Sequence, residues 1–127
     1  MLIDTYAFFW TAHPGFDVPE HVRTAWQHAD GLWVSDISAY EVAQKVRLGK
    51  FADAGVLVDR WMETLERLRG RALPVTTAHA LAGGRLAWAH RDPFDRLLAG
   101  QALTEGLTIL TADPAFDSAP GVDVLRW

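Results

Sequence analysis

Cysteine is absent from the 127-residue sequence, and that excludes disulfides, Cys-based zinc sites, Fe–S clusters and thiol catalysis together. The fold must rest on its core. No apolar run approaches the roughly 20 residues needed to span a bilayer. The opening residues MLIDTYAFFW lack a basic leader segment and meet an acid at Asp4, so the expectation is a soluble, cytoplasmic protein without a membrane partner. Excess positive charge is missing too: 16 acids against 12 Lys plus Arg give a formal charge of −4, which argues against coating nucleic acid by bulk electrostatics. There is no Gly-rich phosphate loop of the Walker or dinucleotide kind. The five histidines, His13, His21, His28, His79 and His90, are scattered without ligand spacing, and only His90 lies beside an acidic stretch; a catalytic histidine is not expected.

What the sequence does have is a half share of hydrophobic residues, enough for one ordinary domain with a real core. Short apolar stretches alternate with helical patterns. Met1–Ile3, Leu32–Val34, Leu73–Val75, Leu107–Leu110 and Val122–Leu125 read as strands. Between them, helices are expected over Tyr6–Ala12, from Pro19 to Asp30, from Asp36 to about Leu48, from about Ala54 to Arg69, from Thr76 or Thr77 to Trp88, and from Asp92 up to the fourth strand. Pro14 and Gly15 should break the first of these. The face Ala78, Leu81, Ala82, Leu86 is read as the inner one of its helix, and the stripe Leu57, Trp61, Leu65, Leu68 as core ahead of a contact surface or groove. Gly83 and Gly84 inside a helix should each cost about 1 kcal/mol relative to alanine, so close packing is expected there. Strands that are apolar on both faces and joined by helices predict an α/β three-layer sandwich, an about five-stranded parallel sheet with helices on both faces.

In such a sheet the ligand site lies beyond the carboxyl ends of the strands, at the point where the chain switches direction. Four acids fall there. Asp4 follows the first strand, Glu41 opens the helix after the second, Asp95 opens the helix before the fourth, and Asp113 follows the fourth. Each has a plain structural use. Asp4 suits an N-cap; Glu41 has capping-box spacing from Ser38 and ion-pair spacing to Lys45; Asp92 and Asp95 flank Pro93 at a helix start; Asp113 precedes Pro114. Together they mean more, because four converging anions repel one another unless a cation resolves the conflict. Oxygen-only donors select a hard Mg²⁺ or Mn²⁺ ion over zinc.

The segments LIDTYAFFW, SAYEVAQKVRLGK and HRDPFDRLLAGQALTEGLTILTADPAF resemble, in this order, the PIN domains, and within them the VapC-type toxins of toxin–antitoxin pairs. The resemblance implies a single PIN-like nuclease domain over 1–127 and a metal-dependent endoribonuclease. Its acidic tetrad maps onto Asp4, Glu41, Asp95 and Asp113, with Asp92 as an additional acid of the DPFD stretch. It implies a small cognate antitoxin and a homodimer. Tyr6 stands where relatives often carry His.

On this reading Asp4, Asp95 and Asp113 hold Mg²⁺ or Mn²⁺, and Glu41 is a ligand or positions a metal-bound water. Thr111, Thr5 and Ser38 are candidates to orient the carboxylates. Arg91, Arg96, Lys45, Arg47 and Lys50 are candidates to grip RNA phosphates. An aspartyl-nucleophile phosphatase would want an acid two residues after Asp4, where Tyr6 stands. A phosphoacceptor receiver would need an acidic pair at the first strand and a late lysine, and has neither. The rival of a different class is a non-catalytic module that binds RNA or protein and keeps its acids as caps.

Overall fold

The central strand is the shortest. The structure, a computed structural model, describes residues 1–13 and 15–127, and at Ala52 the backbone alone. Pro14, read as a helix breaker, lies outside the described residues. In chain order the elements are β1 (Leu2–Ile3), α1 (Thr5–Ala12), α2 (Glu20–His28), β2 (Leu32–Ser35), α3 (Asp36–Arg47), α4 (Gly55–Asp59), α5 (Trp61–Arg67), β3 (Gly70–Leu73), α6 (Thr77–Arg85), α7 (Pro93–Glu105), β4 (Ile109–Thr111) and β5 (Val124–Arg126). Short 3-10 turns occupy Ala52–Ala54 and Pro114–Ser118. Among the described residues the sheet has five strands in the order β3-β2-β1-β4-β5, every pairing parallel. From β1 the chain steps outward to β2 and β3, then returns to the other side of β1 for β4 and β5. The reversal falls between β1 and β4.

Alternation within each strand builds the layers. Leu2 and Ile109 pack with Leu98, Ala99 and Ala102 of α7 and with Phe116. Their neighbours Ile3 and Leu110, with Leu32 and Val34 of β2, pack instead against Phe8 of α1, Val22 of α2, Val42 of α3 and Leu65 of α5. This is the predicted three-layer α/β sandwich. Each fully buried Leu, Ile or Phe adds on the order of 2 kcal/mol to its stability.

Several expectations about individual elements are corrected. The segment from Ala54 to Arg69 is two helices rather than one, because Arg60 leaves helical geometry at φ −116, ψ 27. The ladder survives the break: Arg60 N donates to Val56 O and Thr64 N to Arg60 O. Leu57 and Leu65 remain buried with Trp61 and Leu68 packed against them, so the stripe is core. The third strand starts at Gly70, three residues early, pairing Leu32 to Ser35 with Gly70 to Leu73; Pro74, which has no N–H, follows it. Pro19 precedes α2 as its N-cap residue rather than as its first turn.

On α6 the buried residues are His79 and Gly83, while Leu81 is 48% exposed, contrary to the predicted inner face. The cause is the closeness of α7. A Cβ on Gly83 would lie 2.1 Å from Arg96 O, and one on Gly100 would lie 2.3 Å from His79 O. His79 fits because both ring nitrogens are bonded, Nδ1 accepting from Thr76 N at 3.1 Å and Nε2 meeting Glu105 Oε1 at 2.8 Å. Close packing thus accounts for Gly83, whereas Gly84 faces open space.

Candidate active site

Asp4 sits at the switch point. Its amide donates to Leu110 O at 2.9 Å, fixing it between the ends of β1 and β4. It holds the N-cap position of α1 without a close side-chain cap hydrogen bond, although the backbone amides of Tyr6 and Thr5 still draw its pKa down. Its Oδ2 accepts the Thr111 hydroxyl at 2.7 Å, and the residue is only 4% exposed. Burial, first, and then the charge of Glu41 raise the Asp4 pKa above the ordinary carboxylate range, against the pull of the Thr111 bond.

Glu41 is buried in the second turn of α3, not the first. The cap is Ser35, whose Oγ accepts from Ile37 N at 3.1 Å, so the capping-box reading with Ser38 is overturned. Ser38 Oγ instead accepts the Thr5 hydroxyl at 2.9 Å, tying α3 to α1. Glu41 Oε1 meets Lys45 Nζ at 2.5 Å. Lys45 also donates to Tyr6 Oη at 3.1 Å and lies over the Tyr6 ring, 4.5 Å from its centroid. Burial lowers the Lys45 pKa, and the bonds to Glu41 and Tyr6 more than reverse that, leaving it raised. Lys45, read as an RNA contact, is here the counter-charge of Glu41.

That pairing is testable. Lys45→Met would leave Glu41 with a side chain 8% exposed and no cation. In metal-free protein the expected cost is about 2 kcal/mol, below the range for a fully buried pair because Lys45 reaches solvent. Added Mg²⁺ should shrink it, and denaturant titrations with and without Mg²⁺ read both numbers.

Asp95 is the third residue of α7, with a side chain 19% exposed. Its Oδ2 meets His90 Nε2 at 2.5 Å. Burial, followed by the charges of Asp92 and Asp4, pushes its pKa up to about 6 despite the lowering effect of His90. A carboxyl raised in this way favours the folded state fully below its unfolded pKa and withdraws that contribution as pH rises through the folded one. The contribution from Asp95 is at most about 3 kcal/mol. Chelator-treated protein should therefore lose thermal stability between about pH 4 and about pH 7. Asp95→Asn should flatten that stretch in melts recorded across the range.

Asp92 and Asp113 behave as caps. Asp92 Oδ1 accepts from Phe94 N at 2.8 Å and Asp95 N at 3.4 Å; Asp113 Oδ1 accepts from Ala115 N at 2.8 Å. Both are exposed. Asp113 is nonetheless tied to Asp4, since the Thr111 hydroxyl that donates to Asp4 accepts from Asp113 N at 2.9 Å. Arg96 is not a free phosphate contact. Its guanidinium donates to the carbonyls of Leu86 at 2.6 Å and of Trp88 and His90 at 2.8 Å each. Arg91, Arg47 and Lys50 are exposed.

The electrostatics make Asp4 the middle of a group, coupled to Glu41 on one side and Asp95 on the other. Among the described residues no three His, Asp or Glu side chains stand close enough together to hold a metal ion as placed. Glu41 and Asp95 are each engaged by a basic neighbour, Lys45 and His90. The donor set itself is oxygen-only, with Asp4 and Glu41 buried and Asp95 partly so, which fits a hard divalent cation. A groove of about 600 Å³ lined by Phe9, His13, Leu57, Arg60 and Arg67 contains none of these acids. Sequence reasoning missed His90 as a partner of Asp95, although its place five residues upstream was visible.

The site is thus a parallel sheet with a buried carboxylate at its switch point and further acids around it. The PIN domain model matches residues 1–122, and the chain belongs to that family. PIN domains are generally nucleases. No curated protein matches the sequence significantly. Among solved structures, the chain is similar to one in the DNA-bound VapBC complex of Salmonella typhimurium, with 20% identity over 99% of this chain and 96% of that one and a TM-score of 0.71. It is similar to one in VapBC2 of Rickettsia felis bound to a promoter DNA fragment, at 14% identity, 99% and 97% coverage and TM-score 0.70. It is also similar to one in FitAcB of Neisseria gonorrhoeae, at 25% identity, 98% and 95% coverage and TM-score 0.68. No helix among the described residues is long and apolar enough to cross a membrane.

Proposed function

We propose that this chain is a metal-dependent endoribonuclease, the toxin of a toxin–antitoxin pair, acting in the cytoplasm as one nuclease domain over 1–127 and as a homodimer. The observation that carries the reading is Asp4, buried at the switch point with its pKa raised by burial and by Glu41. A buried carboxylate whose side-chain partner is a hydroxyl rather than a cation is costly to a fold that has no use for it. The similarity to chains of VapBC and FitAcB complexes supports a cognate antitoxin as partner.

Asp4, Glu41 and Asp95 would hold Mg²⁺ or Mn²⁺, with Asp113 completing the set across Thr111. The ion would lower the pKa of a bound water and stabilise charge on the scissile phosphate. The chain's own residues prepare for this. Thr111 orients Asp4, and the Thr5–Ser38 bond holds the starts of α1 and α3 together. Lys45 pairs with Glu41 and holds its carboxylate in place, and exposed Arg91 and Arg47 offer contacts to RNA phosphates.

The test is incubation of purified protein with a mixed RNA pool and a matched DNA pool, in Mg²⁺, Mn²⁺ or chelator. Internal cutting of RNA that requires metal supports the reading. Binding of RNA without cutting under any ion would replace it with the binding module, its acids reduced to caps.

A further inference from the structure

Outside the four acids, the most constructed feature near the site is the connection between α6 and α7. Three carbonyls of this connection, those of Leu86, Trp88 and His90, converge on the Arg96 guanidinium at 2.6 to 2.8 Å. The Trp88 side chain is buried, its Nε1 donating to Ser118 Oγ at 2.9 Å and its ring resting 5.5 Å from that of Phe116. The His90 ring packs against that of Trp88, tilted by 36° with centroids 4.6 Å apart. Its Nε2 meets Asp95 Oδ2 at 2.5 Å. Backbone, ring packing and ring nitrogen are thus all fixed, and what they fix is the direction of one carboxylate.

From this geometry we infer that His90 is a positioning residue: it holds Asp95 by Oδ2 so that Oδ1 is presented to the divalent cation, with Trp88 as its platform and Arg96 as the clamp on its loop. The inference rests on the nuclease reading above and extends it to residues beyond the acids. A histidine on a ligating carboxylate orients the ligand, and losing such an outer contact lowers metal affinity by about 10- to 100-fold. Arg96 serves the same end from the other side of the loop, which explains why a cation beside the acids spends its donors on backbone carbonyls.

Two substitutions separate the donor from the ring. His90→Phe keeps an aromatic ring for Trp88 and has no nitrogen; His90→Gln keeps a donor and gives up the ring contact. Chelator-stripped full-length wild type and both variants would be titrated with Mn²⁺ by calorimetry, melted to confirm folding, and assayed for RNA cleavage over a range of Mn²⁺. The expected result is a 10- to 100-fold weaker Mn²⁺ affinity for His90→Phe, the same shift in the Mn²⁺ needed for half-maximal cleavage, and recovery of most of the affinity in His90→Gln. If His90→Phe does not fold, His90→Leu takes its place. Wild-type affinity in His90→Phe overturns the inference, and so does equal weakening in both variants, which would make the ring a packing element only. A wild type that binds Mn²⁺ but cuts no RNA removes the nuclease reading and leaves the positioning role supported by the binding data. A wild type that binds no Mn²⁺ removes both.

Discussion

Asp4→Asn is expected to lower RNA cleavage by on the order of 10³-fold or more while raising the thermal midpoint of the metal-free protein. The two effects have one cause. Asp4 is 4% exposed, and its charge is disfavoured by burial and by Glu41, so removing the charge relieves the fold. Asparagine is nearly isosteric and its carbonyl oxygen can still accept from the Thr111 hydroxyl, which keeps the link to the Asp113 backbone. Activity falls because the centre of the acidic group is gone. Cleavage rates and melts on the same preparation read both, and a loss of activity accompanied by a lower midpoint would point to damaged packing instead.

The second large effect lies away from the acids. Gly100→Ala should lower the midpoint by roughly 15 °C, or about 4 kcal/mol. The added methyl would sit 2.3 Å from His79 O and 2.7 Å from Gly83 N. Both are backbone atoms, so no side chain can swing aside. Either α6 and α7 separate, or the helix pair that carries Asp95 at its end moves. Gly84→Ala is the control, because its Cβ would meet nothing within 4 Å and alanine favours the helix by about 1 kcal/mol. Thermal melts of the two variants should move in opposite directions.

How far the sequence carried depends on the range of the interaction. Apolar stretches alternating with helical patterns are local signals, and all five strands were visible in them. Their ends were less so: Leu73–Val75 displaced the third strand because the register is set by pairing with β2, which no local pattern contains. The same limit hid the split at Arg60 and the α6–α7 contact, where the pair Gly83–Gly84 signalled close packing but not that Gly83 alone makes it.

At the site, the rule that ligands gather at the switch point placed Asp4, and capping chemistry gave the observed bonds of Asp92 and Asp113. The side chains that surround the acids were harder to read. Lys45 was visible as an i,i+4 partner of Glu41, but its second bond, to Tyr6, spans 39 residues. Arg96 looked like a phosphate contact from its position beside DPFD, and its backbone partners belong to a loop that sequence spacing does not describe.

The measurement that bears most directly on the central claim is an anomalous difference map from crystals of the wild-type protein soaked in Mn²⁺. A peak bounded by Asp4, Glu41 and Asp95, with Lys45 turned from Glu41 to admit it and His90 still on Asp95 Oδ2, is the predicted result. No peak there while the protein still cuts RNA, or a peak seated elsewhere on the surface, would contradict the claim that these acids are the metal centre.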